Sequence, residues 1–250
     1  MLTVDYKLMQ VGAGQRLLDV GCGNGRHTWA AYYLYDCQVL GLDMLQEDLQ
    51  KTRYALYTAD DSRKNGNGHC WLAVRGDAAS LPLKSGSFDR VICSEVLEHV
   101  ADDRRSMGEL VRVLKDDGLI AVSVPTRLTE SIYWRISKQY SRNPGGHVRI
   151  YKAKEIIQLL RDHKLEILSV RHKHSLHSIY WLLRCIFGVN NEKAFIPRMY
   201  HGLLVWDLKT KTKPVRLLDD LCNHLFPKSI VIYARKGENG KHPQAAWRSG

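Results

Sequence analysis

Asp19 heads the run DVGCGNG, an acid-x-Gly-x-Gly-x-Gly pattern in which Gly21, Cys22, Gly23 and Gly25 follow an apolar stretch directly. Glycines in such a turn let main-chain N–H groups approach a ligand with no Cβ in the way. A dinucleotide fingerprint, G-x-G-x-x-G, would need glycine at 26, and Arg26 stands there, which argues against a pyrophosphate seated on this turn. Two more acids end apolar runs: Asp43 closes QVLGLD and Asp77 closes CWLAVRGD. A carboxylate at the end of a second strand can accept from both hydroxyls of a ribose. Asp77 is placed to accept from an adenine amino group. The ligand so described carries adenine and ribose and makes little demand for phosphate recognition.

A second group of residues could move protons. His99 in SEVLEHV and His147 in GGHVRIY lie in segments leading to the same edge, and imidazole titrates near neutral pH. Two glycines ahead of His147 suit a loop that closes over substrate. His172, His174 and His177 form an H-x-H-x-x-H run, but no Asp, Glu or Cys lies close by in the sequence to complete a coordination set, so no metal is expected. His174 and His177, with Tyr180 and Trp181, are expected to line a substrate pocket instead.

The elements that must position these residues alternate. RLLDV (16–20), QVLGLD (38–43), CWLAVRGD (70–77), FDRVICS (88–94) and GLIAVSVP (118–125) read as strands buried on both faces. ADDRRSMGELVRVLKDDG (101–118) reads as a helix, with Met107, Leu110, Val111 and Leu114 on one face and Gly118 as its C-cap. Residues 151–172 add a helix and a strand, KSIVIYARK (228–236) is a last strand, and 60–70 is a polar surface loop. The expectation is an α/β fold with a doubly wound, mostly parallel, seven-stranded sheet. Residues 126–150 and 173–227 do not fit the alternation, and segments of that length usually have structure or function of their own. Residues 1–172 plus 228–236 are read as the core. Residues 173–227, with helical patches near 176–188, 198–208 and 214–226, are read as a cap over the ligand edge. Residues 237–250 are read as a disordered tail.

The net charge is +11 over 250 residues. It is uneven, because residues 1–124 sum to −3 and residues 125–250 to +14. Such a half attracts anionic partners, either lipid headgroups or nucleic acid. No recognised RNA-binding module or aromatic-basic platform accompanies it, so nucleic acid is not the expected partner. Six cysteines without a CxxC pair suggest neither a disulfide framework nor a zinc site. The chain shows no leader-like start and no apolar run of the roughly 20 residues a span requires. A cytoplasmic protein, able to touch the inner membrane face, is expected.

Five landmarks, LLDVGCGNGRH, GLDMLQEDL, GDAASLPLKSGSFDRVICSEVLEHV, ELVRVLKDDGLIAVSVP and GGHVRIYKAKEI, stand in an order and spacing that resemble class I S-adenosylmethionine-dependent methyltransferases. The resemblance is to the bacterial type 11 group, similar to ubiquinone and sterol methyltransferases. It covers about residues 11–172 and the last strand. It implies S-adenosylmethionine as cofactor, with Asp19 and the glycine loop at the methionine end and Asp43 on the ribose. Met44 and Ala78 would flank the adenine, with Asp77 on its amino group, and Ser94 and Glu95 would face the methyl group. His147, His99 and Glu95 are the candidate catalytic residues. A small hydrophobic, lipid- or quinone-like acceptor is expected; the alternatives are an RNA methyltransferase and a non-catalytic domain that keeps the cofactor fold.

Overall fold

The computed structural model describes residues 2–62, 70–141, 146–210 and 212–237. In chain order these form β1 (Arg16–Val20), α1 (Arg26–Tyr35), β2 (Gln38–Asp43), α2 (Gln46–Ser62), β3 (Trp71–Arg75), β4 (Phe88–Ser94), α3 (Asp103–Val113) and β5 (Leu114–Pro125). There follow α4 (Arg127–Ile136), α5 (Lys138–Ser141), α6 (Ala153–Asp162), β6 (Leu165–Lys173), α7 (Ser175–Phe187), α8 (Phe195–Thr210), α9 (Lys213–Cys222) and β7 (Ser229–Lys236). The seven strands lie in the order β3-β2-β1-β4-β5-β7-β6. Pairings from β3 through β5 are parallel, and β7 runs antiparallel to both β5 and β6. This is the expected doubly wound, mostly parallel sheet. The order reverses beside β1, so the turn after β1 opens on the crevice where ligands bind in such sheets.

Neighbouring residues of each strand serve opposite faces, and both faces are covered. Leu18, Val91, Ile120 and Ile232 pack with Met107 and Leu110 of α3 and Ile156 and Leu160 of α6. Leu17, Ile92, Ala121 and Val231 pack with Ala30 and Tyr32 of α1, Leu56 of α2, and Tyr6 and Met9 of the N-terminal segment. This two-sided burial is why the strands read as continuous apolar runs.

One helix boundary differs from expectation. The Asp102 side chain caps α3 by accepting from the Arg105 N–H at 2.9 Å, but the helix stops at Val113, well before Gly118. Leu114 has already turned extended and pairs with Phe88. The left-handed turn falls at Asp117 (φ 60°) rather than at the glycine. Strand pairing has overridden the capping signal.

Both stretches outside the alternation are helical. Residues 126–150 supply α4 and α5, and 173–227 supply α7 to α9. The register shows where the longer one attaches: Pro125 and Lys173 both pair with Ser229, so α7–α9 leave and return at the carboxyl edge of the parallel strands. The polar loop was expected over 60–70, whereas α2 continues to Ser62 and residues 63–69 lie outside the described residues. The tail beyond Gly237 also lies outside them.

Candidate active site at the carboxyl edge

Gly21, Gly23 and Gly25 all take left-handed backbone, at φ 68°, 52° and 77°. Their neighbours differ. A Cβ on Gly21 would sit 2.2 Å from Val96 Cγ2, and one on Gly25 would sit 2.7 Å from Thr52 Oγ1, whereas a Cβ on Gly23 would meet nothing within 4 Å. Gly21 and Gly25 are therefore glycine so that the loop can pack on its own protein. Gly23 is the one that opens on ligand space. Its N–H donates to Asp43 Oδ2 at 2.8 Å, and its carbonyl accepts from Thr52 Oγ1 at 2.7 Å.

Asp19 is buried beneath this loop. Its Oδ2 accepts from the Thr28 N–H at 3.0 Å and the Thr28 hydroxyl at 2.7 Å. Burial pushes its pKa up to about 6, against the lowering effect of those two hydrogen bonds. Asp19 thus ties β1 to the start of α1 and supports the loop from below. Cys22 is buried too, and burial holds its thiol well above the ordinary range.

Asp43 closes β2 with Oδ2 on Gly23 and Oδ1 accepting from the Leu45 N–H at 2.9 Å. Each carboxylate oxygen keeps a further lone pair for a ribose hydroxyl. Met44 and Leu45 beside it are exposed. Asp77 is exposed at the next strand end, where its Oδ1 accepts from the Ala79 N–H at 2.9 Å, and Ala78 is buried behind it. An open glycine cradle, an acid, an apolar shelf and a second acid follow one another along the edge. That donor set fits an adenosine with its ribose.

Beyond β4, Ser94 Oγ and Ser123 Oγ are 2.9 Å apart, and the Ser123 hydroxyl donates to Glu95 Oε1 at 3.1 Å. Glu95 is left-handed (φ 59°), and its Oε2 is 3.7 Å from Lys228 Nζ. The chain then turns through Val96, the residue against Gly21, to Glu98 and His99. His147 is brought to the same place: Val148 N–H donates to the Glu98 carbonyl at 2.8 Å, and Arg149 reaches the Leu97 and Ala101 carbonyls. The rings of His99 and His147 meet edge to face with centroids 4.9 Å apart. His147 Nδ1–H donates to Glu130 Oε2 at 2.9 Å, and the Tyr140 hydroxyl donates to the same carboxylate at 3.0 Å. The two histidines singled out in the sequence therefore form one cluster. The segment carrying His147 is stitched to the 97–101 turn, where its two glycines had suggested a closing loop.

Within the His172–His177 run, His174 and His177 stay together, with ring centroids 5.9 Å apart. His174 is buried, with Nε2 3.2 Å from Thr3 Oγ1, and burial drives its pKa well below the usual value. His177 is pushed down to about 4 by the same cause. Tyr180 rests against His201, while Trp181 meets Tyr140 edge to face at 5.8 Å. The α7 aromatics thus reach the cluster through Tyr140 and Glu130. Sequence reasoning missed Glu98, Glu130, Tyr140, Thr52 and Val96. Only the unusual length of the 126–150 segment pointed towards Glu130 and Tyr140.

Residues 18–122 match the family model described as a methyltransferase domain. The match takes in the glycine loop, Asp43, Asp77, most of β1 and the strands β2 to β4, so this part of the chain is a methyltransferase domain. The 27-O-demethylrifamycin SV methyltransferase of Amycolatopsis mediterranei is 31% identical over 116 residues, 46% of this chain and 40% of that protein. The sterol 24-C-methyltransferase of Eremothecium gossypii is 29% identical over 140 residues, 56% of this chain and 34% of that one. The chain spans about half or less of the length of the first curated relatives it matches. Phosphoethanolamine N-methyltransferase 2 of Haemonchus contortus, solved in complex with S-adenosyl-L-methionine, shares the fold. It covers 93% of this chain and 53% of its own, with a TM-score of 0.58 and 17% identity. The methyltransferase domain and the relatives named for S-adenosylmethionine support that compound as the ligand of this edge, and the donor set of Gly23, Asp43, Met44 and Asp77 is chemically compatible with it.

Proposed function

We propose that this methyltransferase methylates a hydroxyl group of a small hydrophobic, lipid- or quinone-like acceptor. The observation that carries the reading is the joining of His99 and His147 at the carboxyl edge, just past Ser94 and Glu95. S-adenosylmethionine supplies a methyl group already activated by its sulfonium, so the protein's work is to hold a nucleophile in line and assist loss of its proton. Gly23 and Asp43 fix the donor side. On the acceptor side, the imidazole edge of the cluster faces the hydroxyl, with Glu130 and Tyr140 holding His147 in place. A cluster that handles protons serves an acceptor that must lose one, which favours a hydroxyl.

The hydrophobic class is supported by the α7 aromatics behind Tyr140 and by the surface of α8 and α9. Phe195, Met199, Leu203 and Trp206 are exposed along one side of α8, and Leu217, Leu218, Leu221 and Leu225 along α9 and the turn after it. Lys209, Lys213 and Arg216 lie close by in the sequence. Apolar stripes with basic neighbours suit contact with an anionic lipid surface, where such an acceptor is found. Among the described residues no helix is long and apolar enough to cross a membrane, so the contact is peripheral in this reading. Methyl-labelled S-adenosylmethionine incubated with the protein and a bacterial lipid extract should place label in the organic phase. Label in RNA alone overturns the acceptor class.

A further inference from the structure

Glu98 poses a problem that the methyl-transfer reading leaves open. Its side chain is 1% exposed, and neither carboxylate oxygen has a hydrogen-bond partner. A buried acid left without partners is costly, and its retention calls for a ligand. The nearest candidates on the page are the histidines: Glu98 Oε1 is 4.0 Å from His99 Nε2. One donor atom each from Glu98, His99 and His147 lies within 4.8 Å of the others, the one such grouping among the described residues.

We propose that Glu98, His99 and His147 bind a divalent transition-metal ion, with open coordination positions for the acceptor's oxygen. Two imidazoles and one carboxylate are a donor set suited to Zn²⁺ and its neighbours. The surroundings are those of metal-bound histidines, whose second ring nitrogen is held by a carboxylate or a carbonyl. His147 Nδ1 is bonded to Glu130 Oε2 at 2.9 Å, and His99 Nδ1 lies 3.3 Å from the Gly146 carbonyl. His99 Nε2 faces Glu98 Oε1 at 4.0 Å, and His147 offers a ring nitrogen within 4.8 Å of the other two donors. Bonds of about 2.0–2.2 Å place tetrahedral donors roughly 3.4 Å apart, so the ion would draw the three side chains inward by about 1 Å.

The ion's effect on the acceptor rests on the methyl-transfer reading; its binding does not. A hydroxyl oxygen on the metal has a lowered pKa and loses its proton to water near neutral pH. Its lone pair then forms the O–CH₃ bond as the C–S bond breaks, and the sulfur keeps that electron pair. With the ion bound, the cluster assists proton loss through the ion that its imidazoles hold.

The binding is tested apart from turnover. Chelator-treated protein titrated with Co²⁺ should develop visible d–d absorption that saturates at one ion per chain, and Zn²⁺ should displace it. Glu98→Gln removes the charge and keeps the shape; it should weaken Co²⁺ binding at least about tenfold while folding as well as wild type, because no hydrogen bond is lost. His163→Ala, at the end of α6, should leave binding unchanged. Wild-type protein that binds S-adenosylmethionine but gives no saturable Co²⁺ spectrum overturns the site, as does a Glu98→Gln variant that binds Co²⁺ like wild type. Intact Co²⁺ binding with no methylation of any hydroxyl compound would instead overturn the acceptor reading and leave the metal site standing.

Discussion

Around Gly23 the working residues come from the first two strand–helix units: Asp43 and Thr52 bond Gly23 itself, and Asp19 holds Thr28 at the start of α1 beneath the loop. Around His147 they come from the turn after β4, from α4 and α5, and from the segment before α6, joined by Glu130, Tyr140 and the Glu98 carbonyl. The first region is a backbone device, where positive φ and peptide N–H groups set the shape. The second is a side-chain device, where buried carboxylates orient imidazoles. Most of the positive charge lies after the turn that carries Glu98 and His99: residues 1–124 sum to −3 and the rest to +14. In the proposed reading the first region holds the methyl donor and the second meets the acceptor.

That division can be broken. His147→Ala should lower turnover by about 10²–10³-fold and leave S-adenosylmethionine affinity within about twofold by calorimetry. A matching loss of cofactor affinity would merge the two regions. Gly21→Ala should cost about 3 kcal/mol or more, since its Cβ runs into Val96. Gly23→Ala should cost only about 1 kcal/mol, for its positive φ, yet weaken cofactor binding. Equal stability losses in urea unfolding would mean that packing does not distinguish the two glycines.

Asp19 gives a pH signature of the cofactor region. Its folded pKa of about 6 lies above the ordinary 3.8, so the folded state holds the proton more tightly. The stability that this proton contributes is complete below pH 4 and is lost as pH rises through about 6. Asp19→Asn should therefore match wild type near pH 4 and exceed it by up to about 3 kcal/mol at pH 7. A stability difference that stays constant across that range would remove burial as the dominant influence on Asp19.

Asp43→Ala should weaken S-adenosylmethionine about tenfold or more, by loss of charge-assisted bonds and of the anchor on Gly23. Unchanged affinity would take the ribose away from Asp43. The smallest effect belongs to the acceptor half: Leu217→Ser with Leu221→Ser on α9 should change stability by no more than about 0.5 kcal/mol. The same pair should reduce sedimentation with anionic vesicles. Unaltered vesicle binding would detach the apolar stripe from any lipid surface.

The strands β1, β2 and β4 were legible to the residue because apolar runs buried on both sides have little choice of register. The glycine turn, Asp43 and Asp77 were legible because each sits at the end of such a run, so chain order alone places it at the edge. The end of α3 was misread at Gly118 because Leu114 gained more from pairing with Phe88 than the helix gained from another turn, and that partner lies far back in the chain. His174 and His177, close in sequence, also meet in the fold, but the contact of His174 with Thr3 was not legible because 171 residues separate the two.

By itself, the sequence determined the alternating sheet and the placing of the glycine turn, Asp43 and Asp77 at its carboxyl edge. These follow from local backbone needs and from periodicity, which a short stretch of chain carries whole. Only the tertiary structure decided that Gly21 answers to Val96 while Gly23 faces ligand space, and that Glu98, His99, Glu130 and His147 form one cluster. Those relations depend on side chains from separate elements meeting in a shared volume, and no single stretch of sequence contains both partners.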